Sequence, residues 1–397
     1  MNKPLRVAVS GMGCLSALGM NIDDSMENMF KHVRNINLPK RFTTNHDIKY
    51  PVFEIIDTFK KPESKANQDL TLTAQMVIAA VYQALDDARI HKDRLETKRV
   101  GVCMGTTVGS ALNNDQFYKD YRDKKQPAMD PIKRFLKSNP ASAIAREFNL
   151  TGPVQTIVNA CASGTDAIGM GASWIKAGLC DLVIAGGTDE LCKTTYNGFI
   201  SLNITDTEPC RPFDSGRKGL NLGEGAAALI LEPDKINQTI IKDPKCFITG
   251  YGSSCDAFHL TSPHPEGIGL KNAIHQALKE SHLEPCDIGF VNAHGTGTKE
   301  NDKIENMVLS QILPDIPFFS TKGYTGHTLG AAGAIEAVFT IYHLNKKKIP
   351  ENIGFTHPDE GVTKSPVMEN MNVSCTSAMS ESVAFGGNNS VLIFSEN

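Results

Sequence analysis

This sequence predicts an α/β protein in which helices cover buried sheets. Three observations carry the prediction. Short apolar runs of strand character alternate with longer runs that repeat at helical spacing. Several strand-like runs pass through glycines or small residues into helices, the order of layered α/β units. The length, 397 residues, suits two packed domains or one large α/β unit.

In chain order, Leu5–Ser10 reads as a strand on Val7 and Val9, entering a glycine turn at Gly11-Met12-Gly13. Asp69–Ala88 reads as a helix, because Leu72, Met76, Ala79, Ala80 and Gln83 recur at helical spacing. Arg99–Met104 and Val154–Asn159 are strands, and Gly164–Ala177 is a helix. Leu182–Ala185 is a buried strand ending in Gly186-Gly187, and Ala226–Glu232 is another. Pro233, Asp234 and Lys235 open a polar stretch that divides the chain into halves, 1–240 and 241–397. The second half repeats the style. It predicts strand Cys246–Tyr251, helix Gly269–Ser281, strand Gly289–Ala293, helix Asp302–Leu313, strand Phe318–Ser320, helix Leu329–Leu344 and strand Ser390–Phe394. Both halves open with a strand and a Gly-x-Gly, Val7–Gly13 and Phe247–Gly252, which hints at internal duplication.

Composition excludes several classes. The net charge is −4, so there is no basic footprint for nucleic acid. Hydrophobic residues at 41% and charged residues at 21% describe a globular chain, not a disordered one. The 10 cysteines form no CxxC and no zinc-finger spacing, which points to a reducing, cytoplasmic setting. No apolar run approaches the ~18 residues of a membrane span. The stretch Val7–Met20 is broken by Ser10, Gly11, Gly13, Ser16 and Gly19, so it lacks the apolar core of a signal peptide. Gly11-Met12-Gly13 lacks the third glycine of a dinucleotide fingerprint, since Ser16 stands there.

Four motifs remain for chemistry. In Asn159-Ala160-Cys161-Ala162-Ser163-Gly164-Thr165, a strand turns into a helix N-terminus at Cys161. Free amides and the helix dipole there favour a thiolate. The residues alone leave open whether Cys161 is a nucleophile or an inert buried thiol. In Asn292-Ala293-His294-Gly295-Thr296-Gly297-Thr298, a strand end delivers a histidine beside two hydroxyls able to bond a polar chain in a channel. Ser320 to Gly333 brings Lys322 and His327 to the start of another helix. Ala384-Phe385-Gly386-Gly387 is a bendable turn whose amide could serve an oxyanion, before the last strand. A further glycine loop, with Pro212-Phe213-Asp214, Arg217 and Glu224, precedes strand Ala226–Glu232. A cysteine with one histidine would suit a thiol hydrolase. Two imidazoles can instead donate to one oxygen and stabilise an enolate, as decarboxylative carbon–carbon bond formation needs.

Together and in this order, the four motifs resemble those of the β-ketoacyl-acyl carrier protein synthases, best the type II elongation branch, over nearly the whole chain. Ser253–Pro263 resembles that branch as well. The resemblance implies a thiolase-like five-layer αβαβα fold of two duplicated halves. It implies that Cys161 is acylated from acyl carrier protein and that the Cys161 and Phe385 amides form the oxyanion hole. His294 and His327 would promote malonyl decarboxylation, with Lys322 and Glu305 holding the charge and geometry. Thr296 and Thr298 would bond the phosphopantetheine arm, and Phe385 would gate the pocket. Asn292, Glu336 and Ser382 fall where some members hold a structural cation; no other metal and no cofactor are implied. The implied partner is acyl carrier protein, and the implied assembly a homodimer, with a heterodimer as the alternative. The rival readings are a chain-length partner subunit, which usually lacks the cysteine, and a degradative thiolase, which usually pairs a second cysteine with one histidine.

The chain departs from the family at Lys299-Glu300-Asn301-Asp302, where a proline usually comes first. It departs again at Ala384, at Asn388, at Lys218-Gly219-Leu220-Asn221 and in a shortened stretch before Gln68. These departures bear on the substrate and on carrier docking, for which Lys61 and Lys65 are the candidate cations. Pocket depth is expected to depend on Thr106–Ser110 and Lys133–Ala141.

Overall fold

The computed structural model describes residues 6–107, 114–236, 239–240, 243–360, 362 and 364–396. Ten strands build the central framework: β1 Val7–Ser16, β2 Val100–Gly105, β3 Val154–Ile157, β4 Leu182–Asp189, β5 Gly225–Pro233, β6 Cys246–Cys255, β7 Val291–Asn292, β8 Phe318–Phe319, β9 Ser377–Ala384 and β10 Asn388–Ser395. Six helices matter here: α1 Leu72–Asp87, α2 Ser163–Lys176, α3 Lys193–Ser201, α4 Ile268–Ser281, α5 Lys299–Ile312 and α6 Ala332–Lys346.

The strand order is β8-β7-β9-β10-β6-β1-β5-β4-β2-β3. Counted outward from the centre, each half reads first, fifth, fourth, second, third. The polarities match too. First to fifth and fifth to fourth are antiparallel in both halves, and fourth to second and second to third are parallel. The two first strands meet antiparallel through Val7, Ala8 and Val9 against Ile248, Phe247 and Cys246. This is the duplication that the repeated Gly-x-Gly hinted at.

The helices complete five layers. α1 covers β1 and β5 on one outside, and α4 covers β6 and β10 on the other. α2 and α6 pack on each other between the sheets, α2 against β2 and β4, α6 against β5 and β9. α6 is buried almost all round, from Ala332 to Leu344, as a helix in a middle layer must be. The largest apolar cluster lies here, joining Ile168, Ala172, Val338, Phe339, Leu229 and Phe394.

The glycines of the first motif do not form a turn. β1 continues through Gly11 and Gly13 to Ser16, with a register shift between Val9 and Gly11. Their role is close approach. A Cβ at Gly13 would lie 2.0 Å from the Ala80 carbonyl oxygen of α1, and one at Gly252 would lie 2.0 Å from that of Ala273 in α4. Each half thus presses its first helix onto its first strand through glycine. Gly186 and Gly187 likewise lie inside β4, which runs on to Asp189. β7 and β8 are only two residues each, shorter than the expected strands. The helix expected from Leu329 starts as a 3₁₀ turn, Leu329–Ala331, before α6. Among the described residues no helix is long and apolar enough to cross a membrane.

Gly13→Ala should therefore lower the melting temperature, by overpacking worth about 1–3 kcal/mol. Gly198→Ala, at a helical position with nothing within 4 Å, should raise it by up to about 1 kcal/mol. Equal melting points for the two variants would contradict the packing argument.

Candidate active site

Three strand ends converge at one cavity. After β3 the chain passes Ala160, held at φ 47, and places Cys161 two residues before α2. After β7 it places His294. After β8 a short helical turn, Lys322–Thr325, ends at Gly326 with φ 67 and delivers His327. His327 is fixed by its own N–H on the Asn221 carbonyl at 2.8 Å, and its carbonyl takes the Gly223 N–H at 2.9 Å. One nitrogen of each imidazole and the Cys161 sulfur all lie within 4.8 Å of one another. The two rings meet edge to face, with centroids 5.3 Å apart. All three side chains are buried, on the wall of a cavity of about 460 Å³.

Hydrogen bonds settle the tautomers. Lys322 is buried, and its Nζ lies 3.0 Å from His294 Nδ1. An ammonium only donates, so Nδ1 accepts and the ring proton sits on Nε2. His327 Nδ1 accepts the Leu329 N–H at 3.0 Å, which again leaves the proton on Nε2. Burial holds both imidazoles well below their usual range, and the Lys322 charge pushes each down further. The site therefore offers two neutral N–H donors. Burial pushes the Cys161 thiol up to about 11, against the pull of Lys322 and of the Phe385 N–H, which bonds to the sulfur. Burial in the pocket thus opposes the thiolate that the helix N-terminus favours. A cysteine and two histidines also match a zinc donor set. Here the Lys322 ammonium behind His294 repels a dication, and the thiol is held protonated.

The supporting residues act on different groups. Lys322 pairs with Glu336. Burial raises the Glu336 carboxyl, and Lys322 opposes that rise. Glu305 instead grips backbone. Its Oε1 accepts the His294 N–H at 2.5 Å and its Oε2 the Gly295 N–H at 2.8 Å. Thr296 and Thr298 line the cavity with their hydroxyls 2.9 Å apart. Phe385 lines it too, its ring stacked on Phe199 of α3 at 5.8 Å. Gly386 and Gly387 follow at φ 85 and 76, a backbone that permits Phe385 to swing.

At the expected cation site, Asn292 Oδ1 and Glu336 Oε2 are buried with no donor, as is the Ser380 hydroxyl. Ser382 bonds Thr165 Oγ1 at 2.7 Å. Free oxygens of this kind suit a hard cation, with Ser380, not Ser382, offering the free hydroxyl. Lys61 is exposed but engaged with Gln75 and the Phe59 ring, and Lys65 is exposed. Val108–Ser110, expected to help set pocket depth, lie outside the described residues.

Several site residues escaped the sequence reading. Asp302 accepts the Thr296, Gly297 and Phe213 N–H groups and so shapes the threonine loop. Asp189 accepts the Gly330 N–H at 2.7 Å and both Thr106 and Thr107, which ties β2 and β4 to the turn after His327. Asp256 accepts from His264, and its N–H bonds the Gly387 carbonyl in the turn after Phe385. An acidic residue in the first turn of a predicted helix was the available signal for Asp302; for Phe199 there was none.

The family model "Beta-ketoacyl synthase, N-terminal domain" matches residues 5–236, and "Beta-ketoacyl synthase, C-terminal domain" matches 245–356. A 3-oxoacyl-[acyl-carrier-protein] synthase 2 of Staphylococcus aureus is 32% identical over 415 aligned residues, covering 99% of each chain. The ishigamide ketosynthase/chain length factor superposes with TM-score 0.92 at 27% identity, over 99% of this chain and 100% of that one. A β-ketoacyl synthase from Burkholderia phymatum superposes with TM-score 0.89 at 28% identity, over 99% and 100%.

The unfolded chain protonates both histidines near pH 6.5 while the native site keeps them neutral, so their burial costs stability as pH falls below about 6.5. At about pH 6, nitrogen-resolved NMR should show His294 and His327 neutral with the proton on Nε2. Imidazolium signals from either would contradict the assignment.

Proposed function

The chain belongs to the β-ketoacyl synthase family, and on that premise we propose that it is a 3-oxoacyl-[acyl carrier protein] synthase acting in fatty acid or polyketide-type elongation. The observation that carries this reading is the pair of neutral Nε2–H donors beside the Cys161 thiol. The Cys161 sulfur attacks an acyl thioester on the carrier, and its proton leaves on the carrier's pantetheine thiol. The Phe385 N–H, already at the sulfur, receives the developing oxyanion together with the Cys161 N–H.

Malonyl-carrier then enters along Thr296 and Thr298, whose hydroxyls bond its arm. His294 and His327 donate to the thioester oxygen. As CO₂ leaves, the electron pair of the broken carbon–carbon bond becomes an enolate held by the two N–H groups. That carbon attacks the acyl group on Cys161. The tetrahedral intermediate releases 3-oxoacyl-carrier, and the cysteine thiolate takes a proton from water. This sequence draws on no redox or electron-sink chemistry, so no cofactor is part of the proposal. In it the half 1–240 supplies the nucleophile, and the half 241–397 supplies the histidines, the lysine and the gate.

A chain-length partner subunit has no use for an acylatable thiol backed by two donors, so that alternative is not favoured. The proposed assembly is a homodimer. β3 is an edge strand with Val154 at 39% exposure, and Val158 just after it is 66% exposed, shortly before the nucleophile. An open apolar edge of this kind is suited to pairing with a second copy. The ten free cysteines fit a reducing compartment, and the cytoplasm is the proposed location.

His294→Ala and His327→Ala should each cut malonyl decarboxylation by about 10²-fold, the size reported for loss of one oxyanion donor. Normal decarboxylation by both variants would remove the enolate role. Phe385→Ala should disturb the order of acyl and malonyl loading, read by single-turnover transacylation. Unchanged kinetics would remove the gate.

A further inference from the structure

The cavity that holds Cys161 opens to the surface along one loop. His294 and Thr296 are buried, Thr298 is half-buried and Lys299 is exposed. Lys218 is exposed as well, and both lysines line the cavity together with Cys161 and the two histidines. The segments that carry them are locked side by side. Arg217 donates through Nε to the Thr298 carbonyl at 3.2 Å and through Nη2 to the Lys299 carbonyl at 3.0 Å. A Cβ at Gly297 would lie 2.9 Å from the Gly219 carbonyl oxygen. The Arg217 charge itself is met by Asp359 at 2.7 Å and Asp302 at 3.8 Å. Among the described residues neither the Lys218 nor the Lys299 ammonium has an ion pair or a hydrogen bond. Glu300 lines the same opening and pairs with neither. The chain as a whole carries a net charge of −4, so two unpaired cations at one opening are a local feature. Both stand at positions where the chain departs from its family.

We propose that Lys218 and Lys299 form a phosphate subsite at the mouth of the cavity, which takes the phosphodiester of the carrier's phosphopantetheine arm. This rests on the reading of the chain as a synthase fed by carrier thioesters. The arm has its thioester at one end and its phosphate at the other. With the thioester beside Cys161 and the histidines, the arm runs outward past Thr296 and Thr298. Its charged end then comes to the exposed lysines. An ammonium binds phosphate as a point charge, without the bidentate geometry of arginine. Two like charges on neighbouring segments repel, and an anion between them relieves that repulsion. Arg217, already bonded to backbone and to two carboxylates, fixes where the lysines stand and leaves the phosphate to them. The subsite reads the arm's charge and not the acyl chain, so it ranks donors by their phosphate whatever acyl group they carry.

The test compares ligands that differ only in the phosphate. The S-methyl thioethers of phosphopantetheine and pantetheine cannot react with the thiol. Their affinities, measured by ligand-observed NMR, therefore read the subsite whether or not Cys161 is acylated, and a failure of the synthase reading is a separate result. The wild type should bind the phosphorylated thioether about tenfold more tightly at low salt, and the preference should shrink at about 0.5 M salt. Lys218→Ala and Lys299→Ala should each lower the preference about threefold, and the double variant should bring it near one. Lys218→Arg with Lys299→Arg keeps both charges and should keep the preference. Both side chains are exposed, so all these variants should melt as the wild type does. Equal affinity of the wild type for the two thioethers would overturn the proposal, as would a preference that survives in the double alanine variant. So would an effect of that variant confined to the whole carrier protein, which would set the lysines against the carrier's carboxylates instead of the phosphate.

Discussion

A single buried ammonium organises this site. Lys322 is enclosed between His294 Nδ1 and the Glu336 carboxylate. Enclosing a charge is costly unless it is paired and hydrogen-bonded, and here it is both. The contact turns His294 so that Nε2 carries its proton toward the cavity. Burial first, and then the same charge, keep His327 from becoming an imidazolium, and that charge draws on the Cys161 thiol. Removing the ammonium would free a ring tautomer, leave a buried carboxylate alone and take away the cation nearest the nucleophile. The rest of the site is built around that constraint.

The fold explains how three distant segments reach one point. Each half repeats the same strand order, and the halves meet antiparallel at their first strands. Equivalent turns at the ends of parallel strands therefore approach each other across the middle helical layer. The first half contributes the thiol there, and the second contributes the histidines. Close packing of α2 and α6 makes the approach possible. A Cβ at Gly164 would lie 2.8 Å from the Ala334 amide nitrogen. Acidic side chains then fix each turn by gripping backbone N–H groups: Asp189 at Gly330, Glu305 at His294, and Asp302 at Thr296. Placing carboxylates on amides gives rigidity without presenting negative charge to the substrate.

Much of this was legible in the sequence. Cys161, His294 and His327 each stand where an apolar run ends and a small-residue turn begins, and those junctions are local features. The duplication showed only as two Gly-x-Gly pairs, whose purpose, helix pressed on strand, needs three dimensions. The expected turn at Gly11 failed because close helix approach and a turn ask for the same residue. The partner of Lys322 was not legible for a related reason. Glu305 and Glu336 are both buried glutamates on helices, and only the fold shows which one faces the ammonium. Phe199 comes from an element whose local pattern carries no mark of the site, so nothing short of the packing could place it.

The most direct measurement is the intact mass of the protein after mixing with a panel of acyl-carrier thioesters, beside Cys161→Ala. The account predicts a gain of one acyl group in the wild type and none in the variant, with the preferred donor ranking chain length. An unmodified wild type with every donor, or equal modification of the variant, would contradict the acyl-enzyme on which the whole reading stands.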